Sequence, residues 1–155
     1  MKRIVVALAV ALTPMAFGAS PAGAATTLAQ VKAATAKYQN VNMALANGYR
    51  RFGPCISSPQ GAIGLHYVNR RLFASVAIIP RQPEAIVYMP RPGGGLRLGA
   101  VAYAKVGGDR PRLWGVPFKG PMIEAGMPKH YDLHVWIWQP NPRGLFAQFN
   151  PSIRC

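Results

Sequence analysis

Residues 129–138, with the sequence KHYDLHVWIW, concentrate the side chains of this chain that could bind an ion or transfer a proton. The segment holds His130 and His134, two of the three histidines, and Asp132, one of four acidic residues. It also holds two of the three tryptophans. Imidazole and carboxylate groups are the usual ligands of zinc and similar ions in proteins. Whether these groups act together depends on the secondary structure that carries them.

Pro128, directly before the segment, and the alternating residues that follow it favour a β-strand. Successive side chains of a strand point to opposite faces, so one face would carry His130, Asp132, His134, Trp136 and Trp138. In a strand, His130 and His134 lie about 13 Å apart at their backbones, too far to bind one ion together. The close i, i+4 pairing of a helical HExxH zinc motif is therefore not expected here.

A site built across two strands is the arrangement that remains. His66 lies in the strand-like segment GLHYVN, and it could meet His134 if the two strands approach each other. Two imidazoles, one carboxylate and an open position suit a zinc-like divalent ion. The candidate metal ligands are His66, His134, Asp132, His130 and Glu84. In the alternative interpretation the histidines are buried, hydrogen-bonded to the backbone and inert.

Copper and catalysis are two further hypotheses. Met122 and Met127 precede His130, and thioethers with imidazoles suit Cu(I), although methionine is more often a filler of apolar gaps. Copper is therefore the less favoured ion. The sequence has no GxSxG nucleophile motif and no phosphate-binding glycine motif. A metal-dependent enzyme that uses the same histidines stays open as an alternative, with no catalytic residue assigned.

Trp136 and Tyr67 are the aromatic residues expected to contact a small ligand. Trp136 shares the predicted strand face with His134, and Tyr67 directly follows His66. Aromatic rings line pockets, but they also fill the cores of small β proteins. An ionised Asp132 on a core face would need a charged partner, and this favours a cleft on that face.

The N-terminus has the pattern of a secretory signal peptide. Lys2 and Arg3 precede an apolar run over residues 4–12, and a small-x-small site ends at Ala24. The run is about half the length that a membrane-spanning helix needs. We expect cleavage near Ala24, which leaves a single domain of residues 25–155 in a secreted or periplasmic location.

Cys55 and Cys155 are the two cysteines of the chain. In an oxidising compartment they are expected to form a disulfide bond. The chain-entropy model gives the resulting loop about 4 to 5 kcal/mol of stabilisation. The bridge would also hold the last residue of the chain against the fold.

The chain is strongly basic. Residues 25–155 carry 16 Lys and Arg against four Asp and Glu, a formal charge of +12. The basic residues are scattered, so the simplest interpretation is that they keep the domain soluble. The alternative is a module that binds an anionic envelope surface or polymer through Arg50, Arg51, Arg70, Arg71 and Arg81. With no basic run of five or more, nucleic acid is not the expected partner.

The apolar spacing predicts an α+β fold. Residues 27–48 have a three- and four-residue apolar repeat and a capping box, which predict one amphipathic helix. Six later segments of β-branched and aromatic residues, separated by Pro and Gly, predict strands. The expected architecture is therefore the N-terminal helix packed on a mostly antiparallel, curled or barrel-like β-sheet.

The chain contains, in order, CISSPQGAIGLHYVN, PEAIVYMP, LWGVPFKGPM and GMPKHYDLHVWIWQPNPRGLFAQFNP, followed by a terminal cysteine. This order resembles a family of small secreted bacterial proteins of unassigned function, whose most specific part is the C-terminal pattern HYDLHVW, NPxGxF, NP and Cys. The likeness spans about residues 28–155. It implies a secreted domain and brings no activity with it.

Overall fold

A computed structural model describes residues 26–123 and 126–155 of the chain. The expected signal peptide, residues 1–24, lies outside the described residues. The described chain forms a curled antiparallel sheet, which makes half of a barrel, and a few short helices. The prediction of a mostly antiparallel, curled sheet is confirmed.

Within the described residues, six strands form the main sheet and two form a separate hairpin. In chain order the strands are β1 (Arg50–Ser58), β2 (Gly61–Val68), β3 (Ala85–Pro90), β4 (Leu96–Val106), β5 (Arg112–Leu113), β6 (Val116–Pro117), β7 (Lys119–Met122) and β8 (His130–Val135). The order across the main sheet is β1-β2-β3-β4-β8-β7, and β5 pairs with β6. All pairs are antiparallel. Two strands therefore separate β2 from β8.

The N-terminal segment is not the single amphipathic helix that its apolar spacing predicts. It consists of helix α1 (Leu28–Thr35), a 3-10 turn (Ala36–Gln39) and helix α2 (Val41–Ala46). Asn40 interrupts the helical path, since its backbone is extended, with φ −90° and ψ 112°. Its side-chain oxygen accepts a hydrogen bond of 3.0 Å from the backbone N–H of Asn42. Asparagine is a strong N-cap, so it begins the second helix here instead of continuing the first.

The short helices pack on one face of the sheet. Val31 of α1, Tyr38 of the 3-10 turn and Ala44 of α2 are buried in the larger core cluster, together with Tyr88 and Leu133 of the sheet. The Tyr88 hydroxyl donates a hydrogen bond of 2.5 Å to the backbone oxygen of Tyr38. These contacts cover one face of the sheet with helices. We call the opposite face the inner face.

The inner face is lined by small side chains on the two central strands. Ala85 and Val87 of β3 and Ala100 and Ala102 of β4 belong to the smaller core cluster. In β4 the alternation Ala100, Ala102, Ala104 places a methyl group at every second position. Such a strand leaves space above the sheet, and the functional candidates lie around that space.

A disulfide bond joins Cys55 of β1 to Cys155, as predicted. The tail is also held by an isolated β-bridge, in which Ala62 and Asn150 exchange backbone hydrogen bonds of 3.1 and 2.9 Å. Because β1 is an edge strand, the bridge and the tail together fix one edge of the sheet.

The segment after β2 begins as the short helix α3 (Arg70–Phe73). Asn69 caps it, and its side-chain oxygen accepts hydrogen bonds from the backbone N–H groups of Arg71 and Leu72. Of the helices in the described residues, none has the length and apolar content needed to cross a membrane.

Candidate functional site

Two histidines that are distant in sequence meet on the inner face. Nε2 of His66 on β2 lies 2.9 Å from Nε2 of His134 on β8, and the two ring planes are nearly perpendicular, at 84°. When both rings are neutral, one Nε2–H donates a hydrogen bond to the bare Nε2 of the other. The structure thus brings together the two imidazoles that the sequence places in separate strands.

The curl of the sheet makes this contact possible. In a flat sheet the backbones of β2 and β8 would lie about 14 Å apart, because two strands run between them. In the observed register His66 pairs with Val87, and His134 pairs with Ala102. Ala102 in turn pairs with Ala85. Small side chains therefore lie beneath the two rings, and they let the flanking strands fold toward each other.

Asp132 lies two residues before His134 on the same face of β8. Its Oδ2 lies 3.3 Å from Nδ1 of His134. The distance is that of an ion pair, but the two groups are not aligned for a hydrogen bond. Its other oxygen, Oδ1, is buried without a hydrogen-bond partner among the described residues, as is Nδ1 of His66. The site therefore contains buried polar atoms whose hydrogen-bonding capacity the described protein groups do not use. Such atoms are costly unless they meet a ligand, an ion or water.

Burial sets the charge of this group of residues. It lowers the pKa of His66 to about 3, with a further contribution from the neighbouring His134. It also lowers the pKa of His134 to about 4, to which the positive charge of Lys119 adds. Desolvation raises the pKa of Asp132 to about 6. At neutral pH both imidazoles are therefore uncharged and offer lone pairs, and Asp132 is mostly ionised.

A cavity of about 350 Å³ opens beside the imidazole pair. Its polar lining includes all five candidate metal ligands, which are His66, Glu84, His130, Asp132 and His134. Its apolar walls include Phe52, Ile56, Ile63, Val68, Phe73 and Met127. A mainly apolar hollow with a few converging polar groups is the usual form of a small-molecule site.

Glu84 contributes a buried carboxyl group to the same cavity. The residue is only 2% exposed, and its Oε2 accepts a hydrogen bond of 3.2 Å from the backbone N–H of Ala104. Desolvation raises its pKa to about 7, although hydrogen bonds from backbone N–H groups partly offset this. Glu84 is thus close to half protonated at neutral pH.

His130 lines the cavity at some distance along β8 from the imidazole pair. Its Nδ1–H donates a hydrogen bond of 2.8 Å to the backbone oxygen of Pro128. Its ring makes an edge-on contact with Phe73, with centroids 5.6 Å apart. Among the residues that the structure describes, no set of three His, Cys, Asp or Glu side chains is arranged to hold a metal ion. The geometry brings together two of the five candidate ligands as direct donors, His66 and His134.

Trp136 and Tyr67, the expected ligand contacts, lie away from the cavity walls. Strand β8 ends at Val135, and Trp136, directly after it, belongs to the smaller core cluster of the inner face with Ala100 and Ala102. The Trp136 indole is buried, and its Nε1–H donates a hydrogen bond to Ala147 O. Tyr67 follows His66 in β2, so its side chain lies on the opposite face of the sheet. There its ring packs edge-on against Tyr88 of the larger core cluster. Trp136 is thus a core residue, and Tyr67 is partly buried against the core.

The cavity walls are the part of the site that the sequence interpretation missed. Phe52 of β1 and Phe73 of α3 form walls, yet neither stands in a recognisable motif. The alternating alanines of β4 were the available signal, because a strand that is small on one face predicts a void there. Met127, considered for copper, does line the cavity.

A scan against protein-family models finds no match to this chain, and neither a search of curated proteins nor one of solved structures finds a match. The family resemblance of the sequence therefore stays a prediction.

Proposed function

We propose that this protein binds a divalent transition-metal ion through the Nε2 atoms of His66 and His134. The observation that supports this proposal is the 2.9 Å approach of the two Nε2 atoms at the wall of a cavity. Both imidazoles are neutral at pH 7 because burial lowers the pKa of each ring. Neutral imidazole is the form that ligates metals.

The distance between the two donor atoms constrains the ion. With metal–nitrogen bonds of about 2.0 to 2.1 Å, a separation of 2.9 Å corresponds to an N–metal–N angle of about 90°. That angle suits adjacent positions of a square-planar or octahedral ion, such as Cu(II) or Ni(II). A tetrahedral zinc ion would need the nitrogens about 3.3 to 3.4 Å apart, so the rings would have to separate slightly.

Asp132 supports the same proposal as a positioning residue. Its carboxylate faces Nδ1 of His134, the ring nitrogen that would not contact the metal. Ligating histidines commonly place this second nitrogen against a carboxylate, which fixes the ring and raises its basicity. The remaining coordination positions would face the cavity, where water or a small ligand could fill them. The protein is accordingly proposed to be a binding protein.

Metal titration of the purified, untagged protein tests this function. After treatment with a chelator and its removal, isothermal titration with Cu(II), Ni(II) and Zn(II) should show one site per chain. The Cu(II) complex should have an electron paramagnetic resonance spectrum with coupling to two imidazole nitrogens. His66→Asn and His134→Asn should each weaken binding at least tenfold, since a single imidazole remains.

His130→Asn is the matched control, because His130 is also buried and also lines the cavity. The proposal requires that this variant keep the wild-type affinity for Cu(II). Equal loss in all three variants would show that copper binds histidines without selectivity, and no saturable binding by the wild-type protein would exclude the site.

We also propose that the protein acts outside the cytoplasm. The disulfide bond between Cys55 and Cys155 is compatible with an oxidising compartment, and the N-terminal residues have the pattern of a signal peptide. N-terminal sequencing of the protein recovered from an extracytoplasmic fraction tests this, with cleavage near Ala24 as the expected result.

A further inference from the structure

A second cavity adjoins the one that contains the imidazole pair. It has a volume of about 410 Å³ and shares four wall residues with the first, Phe52, Val68, Phe73 and Met127. We call the cavity with the imidazole pair the inner chamber and the second cavity the outer chamber. The outer chamber is also lined by the exposed Arg70.

We propose that the two chambers bind a small amphipathic carboxylate, with its apolar body in the inner chamber and its carboxylate at Arg70. The ligand shares the inner chamber with the imidazole pair, but its proposed contacts are the apolar walls and Arg70. The proposal does not depend on a metal ion at His66 and His134.

The size of the inner chamber supports an organic ligand. An apolar cavity of about 150 Å³ holds benzene, and the inner chamber has more than twice that volume, about 350 Å³. It is therefore large enough for a medium-length acyl chain or a bicyclic ring. Its walls combine two phenylalanines, Phe52 and Phe73, with Val68 and Met127. Methionine adapts to ligands of different shape, which suits a flexible chain.

The charges of the two chambers determine the orientation of the ligand. The inner chamber already holds two carboxyl groups, those of Glu84 and Asp132, so a third carboxylate there would be repelled and poorly solvated. In the described part of the chain, Arg70 is the only Lys or Arg that lines either chamber. A guanidinium group pairs well with a carboxylate through two parallel hydrogen bonds. The anionic group therefore belongs in the outer chamber.

The wall residues that the two chambers share lie between the sites proposed for the two ends of the ligand. Phe52, Val68, Phe73 and Met127 contact both chambers, so an extended molecule at Arg70 passes directly between them. Val68 is 5% exposed and lies on β2 two residues after His66. It is the position at which a larger side chain would block passage from one chamber to the other.

Decanoate, with decanol as its uncharged analogue, is the probe for this proposal. Isothermal titration uses the full protein in the presence of a chelator, at concentrations below micelle formation. Decanoate is expected to bind one molecule per chain. Arg70→Ala should weaken decanoate binding three- to tenfold and leave decanol binding unchanged. Val68→Phe should weaken the binding of both probes.

Arg71→Ala is the matched control, because Arg71 is the exposed neighbour of Arg70 in α3 and lines neither chamber. Its decanoate affinity should stay within a factor of two of the wild type. Circular dichroism and thermal melting establish that each variant is folded. If Val68→Phe does not fold, Arg70→Ala still tests the proposal, because Arg70 is exposed.

The outcomes separate this proposal from the metal site. Decanoate binding in chelator that depends on Arg70 supports the carboxylate ligand even if no metal binds. Equal weakening by Arg70→Ala and Arg71→Ala would mean that only the net positive charge attracts the anion, and this overturns the proposal. Absence of decanoate binding to the wild-type protein overturns it as well, and leaves the metal titration to be judged independently.

Discussion

Nε2 of His66 and Nε2 of His134 are 2.9 Å apart, although 68 residues separate the two histidines in the chain. The contact arises because the sheet curls over the small side chains of β3 and β4, which bring β2 and β8 toward each other. Burial lowers the pKa of both rings, so neither binds a proton at neutral pH. Two neutral imidazoles therefore face each other in a buried site, where one Nε2–H donates a hydrogen bond to the Nε2 lone pair of the other ring.

Replacing Asp132 by asparagine is expected to weaken metal binding without removing a ligand. The carboxylate lies 3.3 Å from Nδ1 of His134, where it would fix the ring and increase its donor strength. Loss of such a positioning group typically reduces metal affinity about 10- to 100-fold. Titration of Asp132→Asn with Cu(II) measures the change, and the number of nitrogen ligands in the paramagnetic resonance spectrum should stay at two.

Asp109→Asn is the control for this experiment, because Asp109 is exposed and its removal changes the net charge by the same amount. If both variants lose the same affinity, the effect is one of overall charge, and Asp132 has no positioning role. A change in the number of bound nitrogens would instead indicate that the histidine pair has moved.

The side chains that share one face of β8 could be predicted from the sequence. The contact between His66 and His134, which lie on different strands, could not. A period of two residues correctly places His130, Asp132 and His134 on one face of β8, because strand geometry fixes that alternation. The meeting of His66 with His134 depends on strand order and sheet curl, which are set by packing across the whole sheet. Trp136 lies in the inner-face cluster with Ala100 and Ala102, but it does not line the cavity, and the alternation alone does not predict this.

In the N-terminal segment, too, the sequence predicts the local pattern of burial better than the arrangement of the helices. Val31 and Tyr38 of the apolar repeat are buried as it predicts, whereas in the second helix Ala44 is buried and Leu45 is exposed. The repeat does not reveal that Asn40 caps a second helix. The choice between one long helix and two short ones depends on how the segment fits the sheet, which the spacing of apolar residues does not contain.

The stability of the protein is expected to change with pH through Glu84. Burial raises its folded-state pKa from an ordinary value near 4.5 to about 7, so the folded state binds more protons than the unfolded state between these values. The contribution of Glu84 therefore lowers the free energy of unfolding as pH rises from 4.5 to 7, by about 2 to 4 kcal/mol in total. Glu84→Gln removes the titration and can still accept the hydrogen bond from Ala104. Relative to the wild type, the variant should gain free energy of unfolding between pH 5 and pH 8.

Comparing the two proteins at each pH isolates Glu84 from the other buried groups. His66 and His134 have lowered folded-state pKa values, so their contribution is lost as pH falls below about 6.5. That contribution is the same in both proteins and cancels in the difference. Urea unfolding at pH 5, 6, 7 and 8 gives the measurement, and a difference that does not vary with pH would contradict the assignment to Glu84.

Removing the disulfide bond should destabilise the protein and loosen one wall of the inner chamber. The bond joins residues 100 positions apart, and loss of such a crosslink typically costs about 2 to 5 kcal/mol. Cys55 lies on the edge strand β1 between the wall residues Phe52 and Ile56. The double variant Cys55→Ser/Cys155→Ser should therefore unfold at lower urea concentration and also bind decanoate more weakly. Unchanged decanoate affinity at full folding would show that β1 holds its position without the bridge.

A glycine near His66 is expected to be essential to the register of β2. Gly64 has φ +109°, and an added Cβ would lie 2.6 Å from the backbone oxygen of Tyr88 on β3. Gly64→Ala must therefore shift β2 against β3 and displace His66, two residues along the strand. We expect a loss of at least 2 kcal/mol of stability and a marked loss of Cu(II) binding.

Gly115→Ala separates steric conflict from backbone strain. Gly115 also has a positive φ, +76°, but an added Cβ there would meet nothing within 4 Å. Its replacement should cost only about 1 to 2 kcal/mol for the left-handed conformation and leave Cu(II) binding unchanged. Equal effects of the two substitutions on metal binding would mean that the position of His66 does not depend on the close approach of β2 to β3.

The metal preference of the site tests the geometry of the histidine pair itself. At 2.9 Å the two nitrogens favour an angle of about 90° at the ion, which Cu(II) and Ni(II) accept and tetrahedral Zn(II) does not. We therefore expect Cu(II) to bind most tightly and Ni(II) to bind at least as tightly as Zn(II) in direct competition. Cobalt(II) absorption reports the coordination geometry independently, since a tetrahedral complex absorbs far more strongly than an octahedral one. A tetrahedral cobalt spectrum combined with zinc binding tighter than nickel would mean that the two rings move apart on metal binding and that a further ligand joins them.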